Sequence, residues 1–353
     1  MNNLKYIFVH GLSGWGSYDE QYERMPYWGM RGGDLIKKLR NEGYDCYSAS
    51  VSPHGSAYDR ACELYGQLVG KRSDYGKHHS ERHGHDRFGR DFTGKPLIEE
   101  LNEDTRLVII GHSFGGATIR MFAHIMAEGV KEEQDYDCSD FFKGGKGSNI
   151  FALVTIAAPH NGTTAYDLYQ DPDFDPSKVK TTVMERFAGK MMSRNNSSGA
   201  EKLPYDDCAV YDMHIDNALR LNEILKLNEN TYYFSQPCNG TVRKGNDYVP
   251  RKDMEVMFSR TSRIMGCYSG KTREGFVLGE DWKMNDGLVN TISSTYPFFN
   301  EHKDFDENEI EKGVWNVFET YEGDHMSLQG GLMHNHDILP YYEKLIKMIE
   351  KLK

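Results

Sequence analysis

The sequence predicts an α/β domain in which a mostly parallel sheet is flanked by helices. Apolar, β-branched runs of the kind that form buried parallel strands alternate with segments of helical spacing. Strands and helices that alternate in this way are typical of a doubly wound sheet. The strand candidates are 6–9, 106–110, 151–157 and 232–235, and the helix candidates are 33–41, 60–69, 118–127 and 338–351.

The individual runs support these assignments. The first strand candidate is Tyr-Ile-Phe-Val at 6–9, the second contains Leu-Val-Ile-Ile at 107–110, and the third, 151–157, is apolar except for Thr155. The last helix candidate, 338–351, has lysines near its end, which suits the negative end of a helix dipole.

Length and composition limit the class of protein. The 353 residues, 38% of them hydrophobic, suffice for a large core, and we expect one domain over 1–353. The sequence has no run of about 18 apolar residues, which argues against a membrane-spanning helix. A net charge of −11 argues against nucleic acid as the main partner, because phosphate binding needs a basic face.

Neither the cysteines nor the first residues determine a compartment. Six cysteines are scattered without a Cys-x-x-Cys pair, so we expect buried thiols rather than a disulfide framework. The first apolar run begins at Tyr6, with no signal-peptide core or cleavage site before it. The sequence predicts a cytoplasmic protein if Met1 is the native start and a secreted one if a signal peptide was removed.

Three stretches interrupt the alternation of strands and helices. Segment 73–94 is rich in His, Arg, Gly and Asp, segment 165–207 is polar and amphipathic, and segment 241–283 follows the last strand candidate. Insertions of this kind usually cover a site rather than form independent domains. We expect 165–207 to form a lid or cap, with a plain surface loop as the alternative, and 241–283 to form an extra subdomain.

The pentapeptide Gly-His-Ser-Phe-Gly at 111–115 directly follows a strand candidate and precedes a helix candidate. In this context Gly-x-Ser-x-Gly predicts a nucleophile elbow, a turn so tight that a Cβ at either glycine would clash with backbone. We therefore predict that Ser113 is a nucleophile. The backbone N–H groups of Phe114 and of Leu12, in the loop after the first strand, are the predicted oxyanion donors. We expect His10 to be a structural hydrogen-bonding group.

A serine nucleophile needs a histidine as base and a carboxylate that holds the histidine tautomer. His325 is the predicted base, because it follows an extended segment and precedes Met-Ser-Leu in a loop-to-helix context. Asp286 is the predicted acid, because Asn-Asp-Gly forms a short turn. Asp324 is expected to be solvated or capping, since a sequence neighbour rarely reaches the far ring nitrogen. The histidines compared were His124, His160, His214, His302, His325, His334 and His336.

Four histidines fall within eight residues of the segment 77–86. One interpretation is a polar surface loop. The other is part of a zinc site, because zinc binds imidazoles and carboxylates in a tetrahedral arrangement. Two of these histidines would then need ligands from elsewhere, for which Asp59 and the pair Asp206 and Asp207 are candidates. The residues alone leave both interpretations open.

Seven motifs are spread across most of the chain, and the most diagnostic is 74–90, with Asp-Tyr-Gly, His-Gly-His and Arg-Phe-Gly-Arg. Together they resemble the thermoalkalophilic and staphylococcal bacterial lipases, which are α/β hydrolases with a zinc-bearing extra subdomain. The other six motifs are 10–16, 27–32, 59–70, 158–164, 285–287 and 312–316.

The resemblance implies an α/β-hydrolase fold with Ser113 as nucleophile, Asp286 as acid and His325 as base. This agrees with the assignment from the residues. The zinc ligands that it implies are Asp59, His79, His85 and Asp207, and it leaves His78, His83 and Asp206 outside the coordination sphere.

Three departures from the family pattern change the expectations. Gly111 and Phe114 stand where the family has Ala and Gln, and we expect a different lining of the acyl site with the same mechanism. Ser327 and Leu332 stand at the family's acidic calcium positions, so no calcium is expected there. The lid region before Asp207 is shorter, which argues against interfacial activation and favours a more open site.

The sequence predicts a serine carboxylic-ester hydrolase of lipid metabolism with a structural zinc. Its expected substrates are short- to medium-chain acyl esters or acylglycerols, with no nucleic-acid partner and no integral membrane segment. The alternatives are a thioesterase or acyltransferase with the same triad, zinc-catalysed hydrolysis, and a non-catalytic zinc-binding protein with this fold. The oligomeric state is not predicted.

Overall fold

The computed structural model describes residues 4–134, 137–186, 188, 203–333 and 335–353. The strands in these residues are β1 (Leu4–Val9), β2 (Cys46–Ala49), β3 (Arg72–Asp74), β4 (Phe88–Asp91), β5 (Arg106–His112), β6 (Ile150–Ile156), β7 (Tyr232–Gln236), β8 (Cys238–Asn239), β9 (Thr241–Lys244), β10 (Asp247–Pro250), β11 (Gly270–Lys271), β12 (Val277–Leu278), β13 (His302–Asp304), β14 (Trp315–Val317) and β15 (Tyr321–Glu322).

The helices surround this set of strands. They are α1 (Glu20–Arg24), α2 (Leu35–Asn41), α3 (Ala57–Val69), α4 (Lys77–His83), α5 (Gly115–Glu128), α6 (Thr164–Asp167), α7 (Ala209–Met213), α8 (Ile215–Ile224), α9 (Val256–Met265) and α10 (Leu339–Glu350).

Seven strands form a central parallel sheet in the order β13–β14–β7–β6–β5–β1–β2. The chain passes from β1 to β2 on one side and to β5 on the other, so the strand order reverses between β1 and β5. The loops that follow these two strands diverge at the carboxyl edge of the sheet. A crevice at such a switch point is where open α/β sheets bind ligands.

Both faces of the sheet are covered, because side chains alternate along each buried strand. On β1, Tyr6 and Phe8 pack in a core with residues of α2 and α10. Ile7 and Val9 point to the opposite core, which holds residues of α3 and α5. The buried aromatic rings of the first core include Trp28 and Tyr342.

The predicted sheet and its helices are confirmed. All four strand candidates and all four helix candidates are present, with boundaries that differ from the prediction by at most three residues. The strand β14 lies within the extended segment expected before His325, whereas the strands β2 and β13 of the sheet were not predicted. They are three or four residues long, and β13 reads His-Lys-Asp, so neither length nor apolar content marks them in the sequence.

The three interrupting segments have different structures. Segment 73–94 carries α4 between the antiparallel strands β3 and β4. Segment 241–283 contains the hairpins β9–β10 and β11–β12 with α9. Residues 187 and 189–202 of segment 165–207 lie outside the described residues, so its interpretation as a lid stays a prediction, as does the single-domain organisation.

The segments share a small apolar core of their own. Leu168, from 165–207, packs with Ile264, Tyr268 and Trp282 from 241–283. Within the described ranges, no helix is long and apolar enough to span a membrane. All six cysteines are free thiols.

Phe8 tests whether the first core supports the sheet. Its buried ring lies 5.1 Å from the ring of Trp28 and 5.5 Å from that of Tyr342, centre to centre. We expect Phe8→Ala to lower the free energy of unfolding by about 3–5 kcal/mol in denaturant titrations, because the cavity cannot close. Phe299→Ala is the matched control, since that ring is 69% exposed. Equal effects of both changes would contradict this core assignment.

Candidate active site

The turn between β5 and α5 holds Ser113 in a left-handed backbone conformation, with φ of 55°. Its backbone N–H donates to the carbonyl of Ile156 at 2.8 Å, which fixes the turn to β6. A Cβ on Gly111 would lie 2.6 Å from the backbone of Gly115, and one on Gly115 would lie 2.4 Å from the carbonyl oxygen of Val9. Neither position tolerates a side chain, which is the geometry of a nucleophile elbow.

The loop after β1 lies directly against this elbow. A Cβ on Gly11 would be 2.8 Å from the Cβ of Ser113. The backbone N–H groups of Leu12 and Phe114 donate to no acceptor within the described part of the chain. Both N–H groups are therefore available to an oxygen atom bound beside Ser113.

A buried arginine, Arg60 of α3, supports the loop after β1. Its guanidinium donates hydrogen bonds to the carbonyl oxygens of His10, Gly11 and Ser52, at 2.5, 3.4 and 3.2 Å. The ring of His10 hydrogen-bonds the Gly11 carbonyl, and burial lowers the pKa of His10 to about 3. His10 is thus a neutral structural group, as expected, whereas the role of Arg60 was not predicted.

The side chain of Phe114 lies away from the elbow surface. It is fully buried and packs with Ala57, Ala209 and Met213. The expectation that Phe114 alters the lining of the acyl site is therefore wrong. An aromatic ring at this position fills the space beneath α3 and α7, which the local sequence did not reveal.

His325 and Asp286 form a buried pair. Nδ1 of His325 lies 2.7 Å from Oδ2 of Asp286, and the histidine backbone N–H donates to the Asp286 carbonyl at 2.9 Å. The other carboxylate oxygen accepts the backbone N–H groups of Leu288 and Val289. Gly287 permits this turn with φ of 112°. Because Nδ1–H donates its hydrogen bond to the carboxylate, Nε2 is left as the basic nitrogen of the ring.

Ser113 and His325 line the same cavity of about 320 Å³, at the carboxyl edge of the sheet. Most of its wall is apolar. The lining residues are Leu12, Ser13, Trp15, Tyr27, Met30, His112, Ser113, Thr163, Ala165, Tyr166, Met213, Met257, Phe258, Leu288, Val289, His325, Met326 and Leu332.

The other histidines that the sequence offered as bases do not line this cavity in the described structure. His160 is buried against the ring of Trp315 and hydrogen-bonds the hydroxyl of Thr155. His334 lies outside the described residues. The remaining four are His124, His214, His302 and His336.

Asp324 is buried rather than solvated, and of the two roles expected for it the structure shows the capping one. One carboxylate oxygen accepts the backbone N–H of Met326 and the hydroxyl of Ser327, each at 3.0 Å. The other accepts the backbone N–H of Glu255 at 2.7 Å. Asp324 therefore caps the turn that carries His325 and ties it to the start of α9.

Asp59, His79, His85 and Asp207 form a compact group with one ligand atom from each residue within 4.8 Å of the others. Nε2 of His79 lies 3.1 Å from Asp59 and 3.3 Å from Asp207, and Nε2 of His85 lies 3.2 Å from Asp207. The structure thus brings together the four residues that the family resemblance implied as metal ligands. They come from α3, from α4 and the turn after it, and from the segment before α7.

The chemistry of this group fits a divalent cation. Nε2 of His85 and Oδ2 of Asp207 are buried and make no hydrogen bond of normal geometry to the described residues. Burial lowers the pKa of His79, but hydrogen bonds to Asp207 and Asp59 outweigh it and raise that pKa to about 9. The two carboxylates thus favour a positive charge at their centre, and two nitrogen with two oxygen donors suit tetrahedral zinc.

Neighbouring residues orient the group. The ring of Tyr58 stacks on that of His79, with centres 4.1 Å apart. The carboxylate of Glu133 accepts the backbone N–H of His79 at 2.6 Å and that of His78 at 3.0 Å. Nδ1 of His83 lies 3.3 Å from Asp206, outside the group of four.

Comparison with known proteins places the chain in a family. The family model described as "Lipase-like, C-terminal domain" matches residues 2–199 and 193–341. The chain belongs to this lipase-like family. It is 32% identical to a lipase of Staphylococcus hyicus over 93% of its length, and 30% identical to lipase 1 of Staphylococcus aureus over 92%. It spans about half the length of these curated relatives, 54% and 50%.

Three solved structures, two of them lipases, have the same fold. The TM-score is 0.84 to EstA from Clostridium botulinum, at 28% identity, with 99% of this chain and 87% of that one covered. It is 0.82 to the Staphylococcus hyicus lipase, at 29% identity, covering 100% and 97%. Lipase 1 from Pelosinus fermentans gives 0.79 at 29% identity, covering 100% and 99%. The predicted α/β-hydrolase fold and the resemblance to the staphylococcal lipases are confirmed.

His160 provides a pH-dependent test of the core beneath this site. Burial lowers its pKa well below the usual value, so the unfolded chain binds a proton below about pH 6.5 that the folded chain does not bind. We expect the free energy of unfolding of the wild type to fall faster below that pH than that of His160→Gln. The difference is about 1.4 kcal/mol per pH unit, measured by denaturant titration. Parallel curves for the two proteins would contradict the assignment of a neutral buried histidine.

Proposed function

We propose that the chain is a serine carboxylic-ester hydrolase with Ser113 as nucleophile, His325 as base and Asp286 as acid. The observation that carries the proposal is that Ser113 lines the same cavity as His325, whose ring is paired with the buried carboxylate of Asp286. Within the described residues the backbone N–H groups of Leu12 and Phe114 have no acceptor, which supports their role as oxyanion donors to an ester bound at Ser113.

The reaction follows from these groups. Oγ of Ser113 attacks the ester carbonyl carbon while Nε2 of His325 takes the hydroxyl proton, and the carboxylate of Asp286 stabilises the imidazolium. The N–H groups of Leu12 and Phe114 stabilise the tetrahedral oxyanion, and removal of one such donor costs about 2.7–4 kcal/mol of barrier. The imidazolium then gives its proton to the leaving alkoxide. His325 then takes a proton from a water molecule, which attacks the carbonyl carbon of the acyl-enzyme. The imidazolium returns this proton to Oγ of Ser113 as the acid leaves.

The cavity supports an acyl ester as substrate. Its wall includes four methionines, which adapt to flexible alkyl chains, and its volume of about 320 Å³ favours short- to medium-chain acyl groups. The curated relatives and the Pelosinus fermentans structure are named lipases, in agreement with this substrate class. Of the two locations that the sequence leaves open, we propose the secreted one on the likeness to the staphylococcal lipases alone.

We further propose that Asp59, His79, His85 and Asp207 bind a structural zinc. Four protein ligands would complete a tetrahedral shell, with no position left for substrate. A cation there would stabilise the fold by joining α3, α4 and the segment before α7. Met213, at the end of α7, lines the cavity, so the group also holds one wall of the active site in place.

The nucleophile is tested by initial rates on p-nitrophenyl esters from acetate to palmitate. We expect Ser113→Ala to lower kcat by about 10⁴–10⁶-fold, because no other group forms the acyl-enzyme. Ser177→Ala is the matched control, since Ser177 is an exposed serine whose hydroxyl donates to Asp175 and which does not line the cavity. A Ser113→Ala variant that keeps its rate would contradict the proposal, and turnover of thioesters alone would replace ester hydrolysis by the thioesterase alternative.

The structural zinc is tested by metal analysis and thermal unfolding. We expect about one zinc per wild-type chain, and we expect His79→Ala to lose the metal and unfold at a lower temperature. His78→Ala, which removes an adjacent imidazole outside the group of four, should retain both metal and stability. If a chelator abolished ester hydrolysis without altering the folded state, the metal would be catalytic and the structural role would be wrong.

A further inference from the structure

A continuous chain of buried hydrogen bonds connects the loop after β1 with the turn that carries His325. The backbone N–H of Gly11 lies 3.0 Å from Oη of Tyr27. That oxygen lies 2.7 Å from Nδ1 of His112, the residue before the nucleophile. Nε2 of His112 lies 2.8 Å from the backbone carbonyl oxygen of His325. Four residues from three distant parts of the sequence thus form one line.

The chemistry of the groups allows only one direction for these bonds. The carbonyl of His325 can only accept, so Nε2 of His112 carries the proton. In a neutral imidazole Nδ1 is then an acceptor, and the hydroxyl of Tyr27 must donate to it. The N–H of Gly11 can only donate, and it uses the remaining acceptor capacity of the tyrosine oxygen. Every donor in the line has one acceptor.

Burial keeps the line in this state. His112 is 1% exposed and Tyr27 is 4% exposed. Burial, together with the charge of His325, lowers the pKa of His112 to about 3, so its ring stays neutral at working pH. Burial also raises the pKa of Tyr27, so the hydroxyl keeps its proton. Both rings contact Trp28, which restricts their rotation.

The two ends of the line are the two parts of the site that must keep their distance from Ser113. Gly11 precedes the oxyanion donor Leu12, and the carbonyl of His325 belongs to the residue whose ring takes the serine proton. His112 itself is covalently joined to Ser113. A movement of either end relative to the nucleophile would therefore break a buried hydrogen bond and leave a buried polar group without its partner.

We propose that His112 and Tyr27 are positioning residues that hold the oxyanion loop and the base His325 in register with Ser113. The inference rests on the proposed serine-hydrolase function and goes beyond it, because neither residue takes a proton or contacts the ester carbonyl in that mechanism. The line of hydrogen bonds couples the oxyanion loop to the turn that carries His325. These two parts of the site come from segments more than three hundred residues apart in sequence.

Tyr27→Phe tests the line by removing one oxygen atom. We expect kcat to fall by about 10–100-fold with KM changed less than about twofold, since small displacements of catalytic groups have effects of this size. Rates are expressed per active site, counted from the p-nitrophenol burst with diethyl p-nitrophenyl phosphate. A purely structural role would reduce the number of titrated sites and leave kcat per site unchanged.

Tyr233→Phe is the matched control. Its hydroxyl also accepts a backbone N–H, that of Asn228 at 2.8 Å, and its side chain is 3% exposed and outside the cavity lining. The variant loses a partly buried hydrogen bond of a nearly buried tyrosine, so it should also lose stability but keep wild-type kcat per titrated site. Equal losses of kcat in both tyrosine variants would overturn the proposal.

A double-mutant cycle tests the coupling. His112→Asn removes the Nε2 donor to His325, and Tyr27→Phe removes the link to Gly11. Because both changes break one line, we expect the double variant to have a kcat per site close to that of the worse single variant. Multiplicative losses would show two independent effects and overturn the coupling.

These experiments also distinguish a failure of the positioning role from a failure of the proposed serine-hydrolase function. A wild type that gives neither a burst nor ester turnover contradicts the serine hydrolase itself. In that case nitrogen-15 NMR of the histidines still tests the line, because it must show the Nε2–H tautomer of His112. A wild type that titrates normally, with a Tyr27→Phe variant of wild-type kcat per site, contradicts only the positioning role.

Discussion

The backbone conformation of Ser113 is the constraint on which the site depends. The residue is held at φ of 55° where β5 turns into α5, a conformation that costs a non-glycine residue of order 1–3 kcal/mol. Its neighbours make that conformation compact, because Gly111 and Gly115 let the start of the helix pack against the end of β1. The same packing aims the N–H of Phe114 at the crevice, together with the positive end of the helix dipole.

The rest of the site is brought to this elbow by the topology of the sheet. The strand order reverses between β1 and β5, so the loop after β1 lies beside the serine with nothing between them. Asp286 and His325 arrive from the last third of the chain, and backbone bonds fix both turns before their side chains meet. Hydrogen bonds from Arg60 hold the loop after β1, and hydrogen bonds to Asp324 hold the turn that carries His325. The site is therefore built on short loops that hydrogen bonds hold in place.

The group of four candidate metal ligands, Asp59, His79, His85 and Asp207, does not line the cavity that contains Ser113 and His325. It is built from two histidines and two carboxylates of α3, of α4 with the turn after it, and of the segment before α7. Its connection to the cavity is the short helix α7, which begins two residues after Asp207 and ends at Met213. Stability of the group and shape of the acyl site are linked through that helix.

Much of this arrangement could be predicted from local sequence. The strand runs, the two glycines of the elbow and the Asn-Asp-Gly turn are short-range signals with direct steric causes. The burial of Phe114 and Asp324 could not be predicted, because both depend on residues that fold over them from α7 and α9. The link from Gly11 through Tyr27 and His112 to His325 was hidden for the same reason, since no local pattern marks a hydrogen bond across 213 positions. Polar strands such as β13 take their conformation from the neighbouring strand and not from their own residues.

The most direct test of the account is to locate the covalent adduct formed with diethyl p-nitrophenyl phosphate. Peptide mass spectrometry of the inactivated protein should find one diethylphosphoryl group per chain, on the peptide that contains Ser113, with loss of ester turnover in proportion to labelling. An adduct on another residue, or a protein that hydrolyses esters at full rate without labelling, would contradict the claim that the elbow presents an activated serine.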